Sequence, residues 1–411
     1  MSDTATPFSD LLTVDSEGRP RVLPTVHHLE QLLEMDAEAV LERFKQDQVA
    51  DFRKVVEELK DPSNALYAEF AELRTIAEAQ GDNPFLDTAL FDPQALEGMF
   101  LELHDHVMAH PVWRHPFFVR VFNGEIDKQQ LTEFALHYFN QVKNTRQCVA
   151  LALGRFSGVM EMPYGQLNER ISEMSQIVLA QLVADEYGVG SHEVEEYPSL
   201  GGLFASRTHI VMYRQLFEGL GVPFEEQDVP MLHAVADNIL IQRLVAGDER
   251  FTPLEALSSV GLGMEWGVPE FFTLLLGGMV RFAWQNDVPL TREHLIVFVA
   301  HVQYDVLHAI SVMLVTSFYA NDEEAIARIK AATNMLMSGR YGMVSELYEH
   351  VFKEACPGLH EIDLPSQYHI TDRRIEQALL KARSEVAEGR VVDTEAYRQK
   401  TAMPFVFAQG I

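Results

Sequence analysis

Cysteine is nearly absent from this 411-residue chain, which holds only Cys148 and Cys356. Far apart and unaccompanied, they provide no disulfide framework and fit a reducing compartment. Strand signals are equally scarce. Few runs alternate apolar and polar residues with period two, and no Asn-Gly or Asp-Gly pair joins two such runs into a hairpin. Long apolar runs are missing too. No stretch approaches the roughly 20 uncharged residues that a membrane-spanning helix requires. Met1 to Thr13 carries Asp3 and Asp10 but not the basic cluster and apolar run of a secretory signal. A cytoplasmic protein without membrane association is expected. Basic charge is in short supply: 32 Lys and Arg stand against 61 Asp and Glu, a net −29. Such a surface repels phosphate backbones and anionic lipid, which argues against nucleic-acid binding and serves solubility.

What the chain does have is helical periodicity. With 47% hydrophobic and 23% charged residues it has the mix of an ordinary globular protein. Apolar positions recur at helical spacing from His27 to Lys60 and from Ser63 to Gln80, up to the breaker Gly81-Asp82-Asn83-Pro84. A denser region follows. Leu96 to Ala109 reads as a helix, and Asp127 as the N-cap of a long helix reaching about Phe156. Further helices are expected over 164–187, 207–220, 228–246, 253–265, 268–285, 291–318, 322–337 and 340–354, and one more from Thr371 to Glu388. Gly188 to Ser206 reads as a loop, with four glycines and a proline. The expected fold class is all-α: a helical bundle over 93–355, an N-terminal helical extension over 1–92, and a C-terminal helix and tail over 356–411.

The densest chemistry lies in His301-Val302-Gln303-Tyr304-Asp305-Val306-Leu307-His308. Positions i, i+4 and i+7 share one stripe of a helix, so His301, Asp305 and His308 face one way. Their neighbours are apolar, and three ionisable groups on a buried stripe are costly unless paired or metal-bound. Two imidazoles and a carboxylate suit a divalent iron or manganese ion. A hydrogen-bonded His-Asp-His network, or a stripe facing water, satisfies the same spacing. Glu265 sits in the apolar stretch Gly263 to Pro269, His209 opens a helical run, and Asp185-Glu186 stands where a helix breaks into the glycine-rich loop. Taken singly, these read as helix ends or core residues. His104, His106, His110 and His115 are close in sequence but lack a carboxylate at matching spacing, which favours structural roles.

Together these spacings resemble the haem-oxygenase-like diiron oxidases, whose seven-helix bundle carries a Glu, a His, a second Glu and a final His-x3-Asp-x2-His helix. The resemblance covers about residues 96–320. It includes His110-Pro111, Gly124-Glu125-Ile126, Phe134 to Tyr138, and Val142. His301, Asp305 and His308 match the last element, and Glu265 before Val268-Pro269 resembles the second Glu. His209, leading into Glu218-Gly219-Leu220-Gly221-Val222, resembles the family histidine, and Glu186 in Asp-Glu-Tyr-Gly-x-Gly the first Glu. The resemblance implies a haem-oxygenase-like bundle whose metal ligands are Glu186, His209, Glu265, His301, Asp305 and His308. It implies two Fe2+ ions, and O2 as co-substrate. One departure stands out: Glu186 and His209 are separated by an insertion of about a dozen residues. His192 or a neighbouring carboxylate (Glu193, Glu195, Glu196) competes with Glu186 as ligand, and the insertion is expected to act as a lid.

The implied function is an O2-dependent oxidase or oxygenase acting on a small metabolite. N-oxygenation or oxidative C–C cleavage of an amino-acid- or fatty-acid-like substrate are the reactions to expect. Arg146, Arg281 and Lys143, each on a mostly apolar helix, are candidates for holding a substrate carboxylate. A homodimer and an external electron donor are both compatible with this reading. Two alternatives compete. A metal-free, thiaminase-like or cofactorless enzyme of the same fold would lack a full ligand set; Cys148, its candidate nucleophile, has no base paired with it in sequence. A non-enzymatic helical interaction protein would leave charged residues inside apolar helices unexplained.

Overall fold

The computed structural model describes residues 13–14, 20–21, 29–79, 92–156, 166–188, 208–222, 231–291, 294–320, 322–357 and 364–387. Among these the protein is all-helical, apart from a two-residue antiparallel pairing of Thr13–Val14 with Pro20–Arg21. Local chemistry sets many of the helix starts. The N-terminal helices are α1 (Leu29–Glu34), α2 (Ala37–Lys60, capped by Asp36) and α3 (Ala65–Ala79). Next come α4 (Pro93–Met108, capped by Asp92) and α5 (Pro116–Phe122). Asp127 and Gln130 form a reciprocal capping box on α6 (Lys128–Leu153), as the sequence predicts. Then follow α7 (Gln166–Glu186), α8 (His209–Gly219, capped by Thr208) and α9 (His233–Gly247). Thr252 and Glu255 box α10 (Pro253–Ser258). The chain continues through α11 (Val268–Gln285), α12 (Ile296–Ser317), α13 (Glu323–Phe352, capped by Asp322) and α14 (Arg373–Ala387).

Two elements differ from the sequence expectation. The span 253–265 is not one α-helix: after α10 the backbone widens into a π-helical turn, Ser259–Glu265, closed by Trp266 N–H donating to Gly261 O at 2.9 Å. Such turns are rare and concentrate at functional sites. In addition, Ser338-Gly339 does not break the helix there. The spans 322–337 and 340–354 are one helix, α13. Gly339 is instead a point of close approach, where an added Cβ would lie 3.0 Å from both Asn238 Oδ1 and Ile241 Cδ1 of α9.

The bundle closes around α6, α7, α9, α11, α12, α13 and the π turn, which pack against one another. One contiguous apolar core runs from Leu32 to Ile375, so the terminal helices share it. α2 packs on α4 and α11, and α3 on α7. At the other end α14 is tied on by Arg374–Glu255 at 2.8 Å and Arg383–Asp237 at 2.6 Å. Among the described residues no helix is long and apolar enough to cross a membrane.

Candidate metal centre

The C-terminal end of α7, the first residue of α8, the end of the π turn and the middle of α12 converge. Glu186, His209 and His301 each offer one ligand atom within 4.8 Å of the others, and all three are buried. His209 Nδ1 lies 3.1 Å from Glu186 Oε1. The rings of His209 and His301 are 4.4 Å apart, and Phe272 stacks flat on His301 at 4.1 Å, forming an apolar wall behind it. His301 Nδ1 is hydrogen-bonded to Val297 O at 2.6 Å; the carbonyl accepts, so Nδ1 carries the proton and Nε2 is left as the ligand nitrogen.

His308 lies two turns along the same helix. Its Nε2 is 2.8 Å from Asp185 Oδ2, and its Nδ1 is 3.9 Å from Glu265 Oε2. Seven residues of helix advance roughly 10 Å, so His301 and His308 serve neighbouring positions rather than one point. Glu265 is the last residue of the π turn and is 3% exposed, so its carboxylate stands inside the core. The π turn brings it there: Gly261 and Gly263 let the turn press against Val312 of α12 and Leu336 of α13, where an added Cβ at Gly261 would collide with the Val312 side chain. From the other side, Gln48 of α2 donates to Trp266 O at 3.0 Å, and Trp266 Nε1 donates to His104 Nδ1 at 3.1 Å. Helices α2 and α4 thus brace the residue that follows Glu265.

The electrostatics are those of a paired carboxylate. Burial pushes the Glu186 carboxyl up, but the attraction and hydrogen bond of His209, with His301 and His308 adding to them, outweigh it and bring the carboxyl down to about 2. Glu186 is therefore an anion at neutral pH, held among three imidazoles. An uncompensated charge at this depth would cost several kcal/mol.

The structure thus brings together Glu186, His209, His301, His308 and Glu265. Asp305 lies on α12 between the two histidines, but its side chain is outside the described residues. So are His192, Glu193, Glu195, Glu196 and the proposed lid, since 189–207 are not described. Asp185 is a residue that sequence reasoning passed over in favour of its neighbour. Both carboxylates at the end of α7 meet a histidine of the site, Glu186 at His209 and Asp185 at His308. A doubled acid at the end of a largely apolar helix was the available signal.

The three candidate cations separate. Arg281 donates to Phe122 O at 2.6 Å and Leu33 O at 2.9 Å and stacks on the Phe122 ring, so it clamps helix ends together. Lys143 lies over Phe139. Arg146 lies over Tyr187, the residue after Glu186, and its buried Nε has no hydrogen-bond partner. The four clustered histidines serve the fold. His110 Nδ1 accepts from Val112 N–H and His115 Nδ1 from Phe117 N–H, capping successive helical turns, while their Nε2 atoms meet Ser338 and Ser345. Cys148 is fully buried, with Asn144 Nδ2 donating to its sulfur at 3.3 Å. Burial pushes its thiol up to about 12. A nucleophile needs thiolate at neutral pH, and Cys148 has essentially none.

No protein-family model matches the chain, and no curated protein matches it. Among solved structures it is similar to a CADD-like protein of unknown function from Nostoc punctiforme, at 13% identity and a TM-score of 0.47, over 63% of this chain and 99% of that one. At that distance the likeness says nothing of chemistry, which rests on the side chains themselves.

Proposed function

We propose that the protein is a non-haem diiron enzyme of haem-oxygenase-like type that uses O2 to oxidise a small metabolite. The observation that carries the reading is the buried Glu186–His209–His301 cluster, with Asp185, Glu265 and His308 beside it. The donor set fits the group. Imidazoles and carboxylates suit ferrous iron, and the ligand atoms lie in an apolar, water-poor setting where unpaired ionisable groups would be costly. Glu186, His209 and His301 would hold one iron; His308 and Glu265 would hold the other, with Asp305 on the stripe between the histidines. When bound, the two irons supply the electrons and open positions that dioxygen reduction needs.

The chain's own side chains do the rest. Glu186, anionic and paired with His209, offsets cationic charge in the core. The Val297 carbonyl fixes the His301 tautomer, and Phe272 fixes its ring plane. Asp185 orients His308 through Nε2. Arg146, set over Tyr187 with a free Nε, is the best placed of the candidate cations to orient a substrate carboxylate, as an amino-acid- or fatty-acid-like substrate would require. N-oxygenation and oxidative C–C cleavage are the reactions this reading favours.

The test is to load the purified chain with Fe2+ under anaerobic conditions and mix it with O2. Uptake of dioxygen faster than by free iron, and lost in His209→Ala and His301→Ala, is the expected result. Iron-loaded protein no more reactive than iron in buffer would overturn the proposal.

A further inference from the structure

A second group of metal-ligating side chains lies on helices that the first site does not use. Glu133 and His137 stand one turn apart on α6, and His350 comes from the last turn of α13. The three offer one ligand atom each within 4.8 Å of one another. His350 Nε2 is 3.0 Å and His137 Nε2 3.7 Å from the same oxygen, Glu133 Oε2. Those distances bracket the roughly 3.3 Å edge of a tetrahedron whose metal–ligand bonds are about 2.0–2.1 Å. The two imidazole rings are 4.5 Å apart and nearly perpendicular.

We propose that Glu133, His137 and His350 form a second divalent-metal site, of the zinc type, that pins the start of α6 to the end of α13. His137 supplies the decisive observation. It is 4% exposed, its Nδ1 is buried without a hydrogen-bond partner, and its Nε2 is too far from Glu133 for a hydrogen bond. A cation between the three groups would take up Nε2, which faces the Glu133 carboxylate across a gap too long for a hydrogen bond and suited to a shared metal ion. Burial and the neighbouring His350 keep His137 unprotonated, at about 4, so its lone pair is available at neutral pH. Glu133 and His350 are each about a third exposed, which leaves a fourth coordination position for water and a path for the ion. Two imidazoles and one carboxylate suit zinc with an open position. Lys353, the left-handed C-cap of α13, places a positive charge nearby and works against the ion. The first site shares no ligand with this one, so the inference stands apart from the proposed oxidase chemistry.

The experiment is a titration of the full-length chain with Zn2+, reading bound zinc after gel filtration. In a chain carrying His209→Ala, His301→Ala and His308→Ala, one zinc is expected to remain, and to vanish when His350→Gln or Glu133→Gln is added. Far-UV circular dichroism checks that each variant folds. In the otherwise unaltered chain, His350→Gln and Glu133→Gln should each bind one zinc fewer than the parent, and Lys353→Met should bind that zinc more tightly. The proposal is overturned if both single variants bind as much zinc as the parent, or if the chain lacking His209, His301 and His308 folds but binds none.

Discussion

At the scale of single residues, the chemistry rests on a few groups whose environment leaves them one role each. Glu186 is ionised because three imidazoles surround it, and Cys148 is inert because nothing cationic offsets its burial strongly enough. Asp185 is the newcomer. Through Oδ2 it holds His308, so Asp185→Asn should weaken iron binding about 10- to 100-fold while keeping the side chain's shape. An equilibrium iron isotherm indistinguishable from the parent's would remove Asp185 from the site. Cys148→Ala should cost about 1 kcal/mol through a small cavity and leave iron content and O2 uptake unchanged; a loss of activity with iron retained would revive the thiol. His301 and His308 were legible because helical period alone puts them on one stripe of α12. Asp185 was less so, since only the packed end of α7 shows that both acids of the pair turn inward. The Glu133–His137 pair was visible at i, i+4, but its partner His350 lies 217 residues from Glu133, and no local pattern announces such a meeting.

At the scale of elements, periodicity and caps located most helices to within a few residues. The two misjudged segments share a cause. In 253–265 the glycines were read as ordinary helix positions, and at 338–339 as a stop, whereas in Ser259–Glu265 and at Gly339 glycine permits two helices to touch. Tertiary contact, absent from the sequence, decides which meaning applies. Gly261→Ala tests this. A Cβ there would collide with the Val312 side chain, so overpacking of about 1–3 kcal/mol is expected. The π turn should separate from α12, and Glu265 from His308. A thermal melt should show lower stability, and metal analysis should show less bound iron. Gly342→Ala is the counterpart: it lies mid-helix on α13 with nothing within 4 Å of an added Cβ, and should gain about 0.5–1 kcal/mol without touching the iron. Equal effects from both substitutions would refute the close-packing argument.

At the scale of the whole molecule, buried neutral histidines tie stability to pH. Burial lowers His110 and His115 to about 3 each, with His106 and Arg340 adding to the effect at His110. Their ordinary value is about 6.5. Between those limits the unfolded chain binds protons that the folded chain refuses, so stability is full above about pH 6.5 and falls as pH drops toward 3. Each histidine contributes a slope of about 1.4 kcal/mol per pH unit over that window. Urea midpoints of metal-free protein should therefore fall steeply from pH 7 to pH 5, and less steeply in His115→Gln. Midpoints that do not change over this range would contradict the burial of these rings. Glu186 acts lower down, its contribution disappearing only as pH falls from about 4.5 to 2.

All three scales meet in the convergence of α7, α8, the π turn and α12 on one buried set of carboxylates and imidazoles. Counting iron tests that convergence most directly. The chain, stripped with chelator, is titrated anaerobically with Fe2+ and the bound metal measured at saturation, alongside His209→Ala and Glu265→Ala variants of unchanged helicity. Two irons per chain in the parent, and clearly fewer in each variant, is the expected result. A parent that binds no iron, or variants that bind as much as the parent, would contradict it.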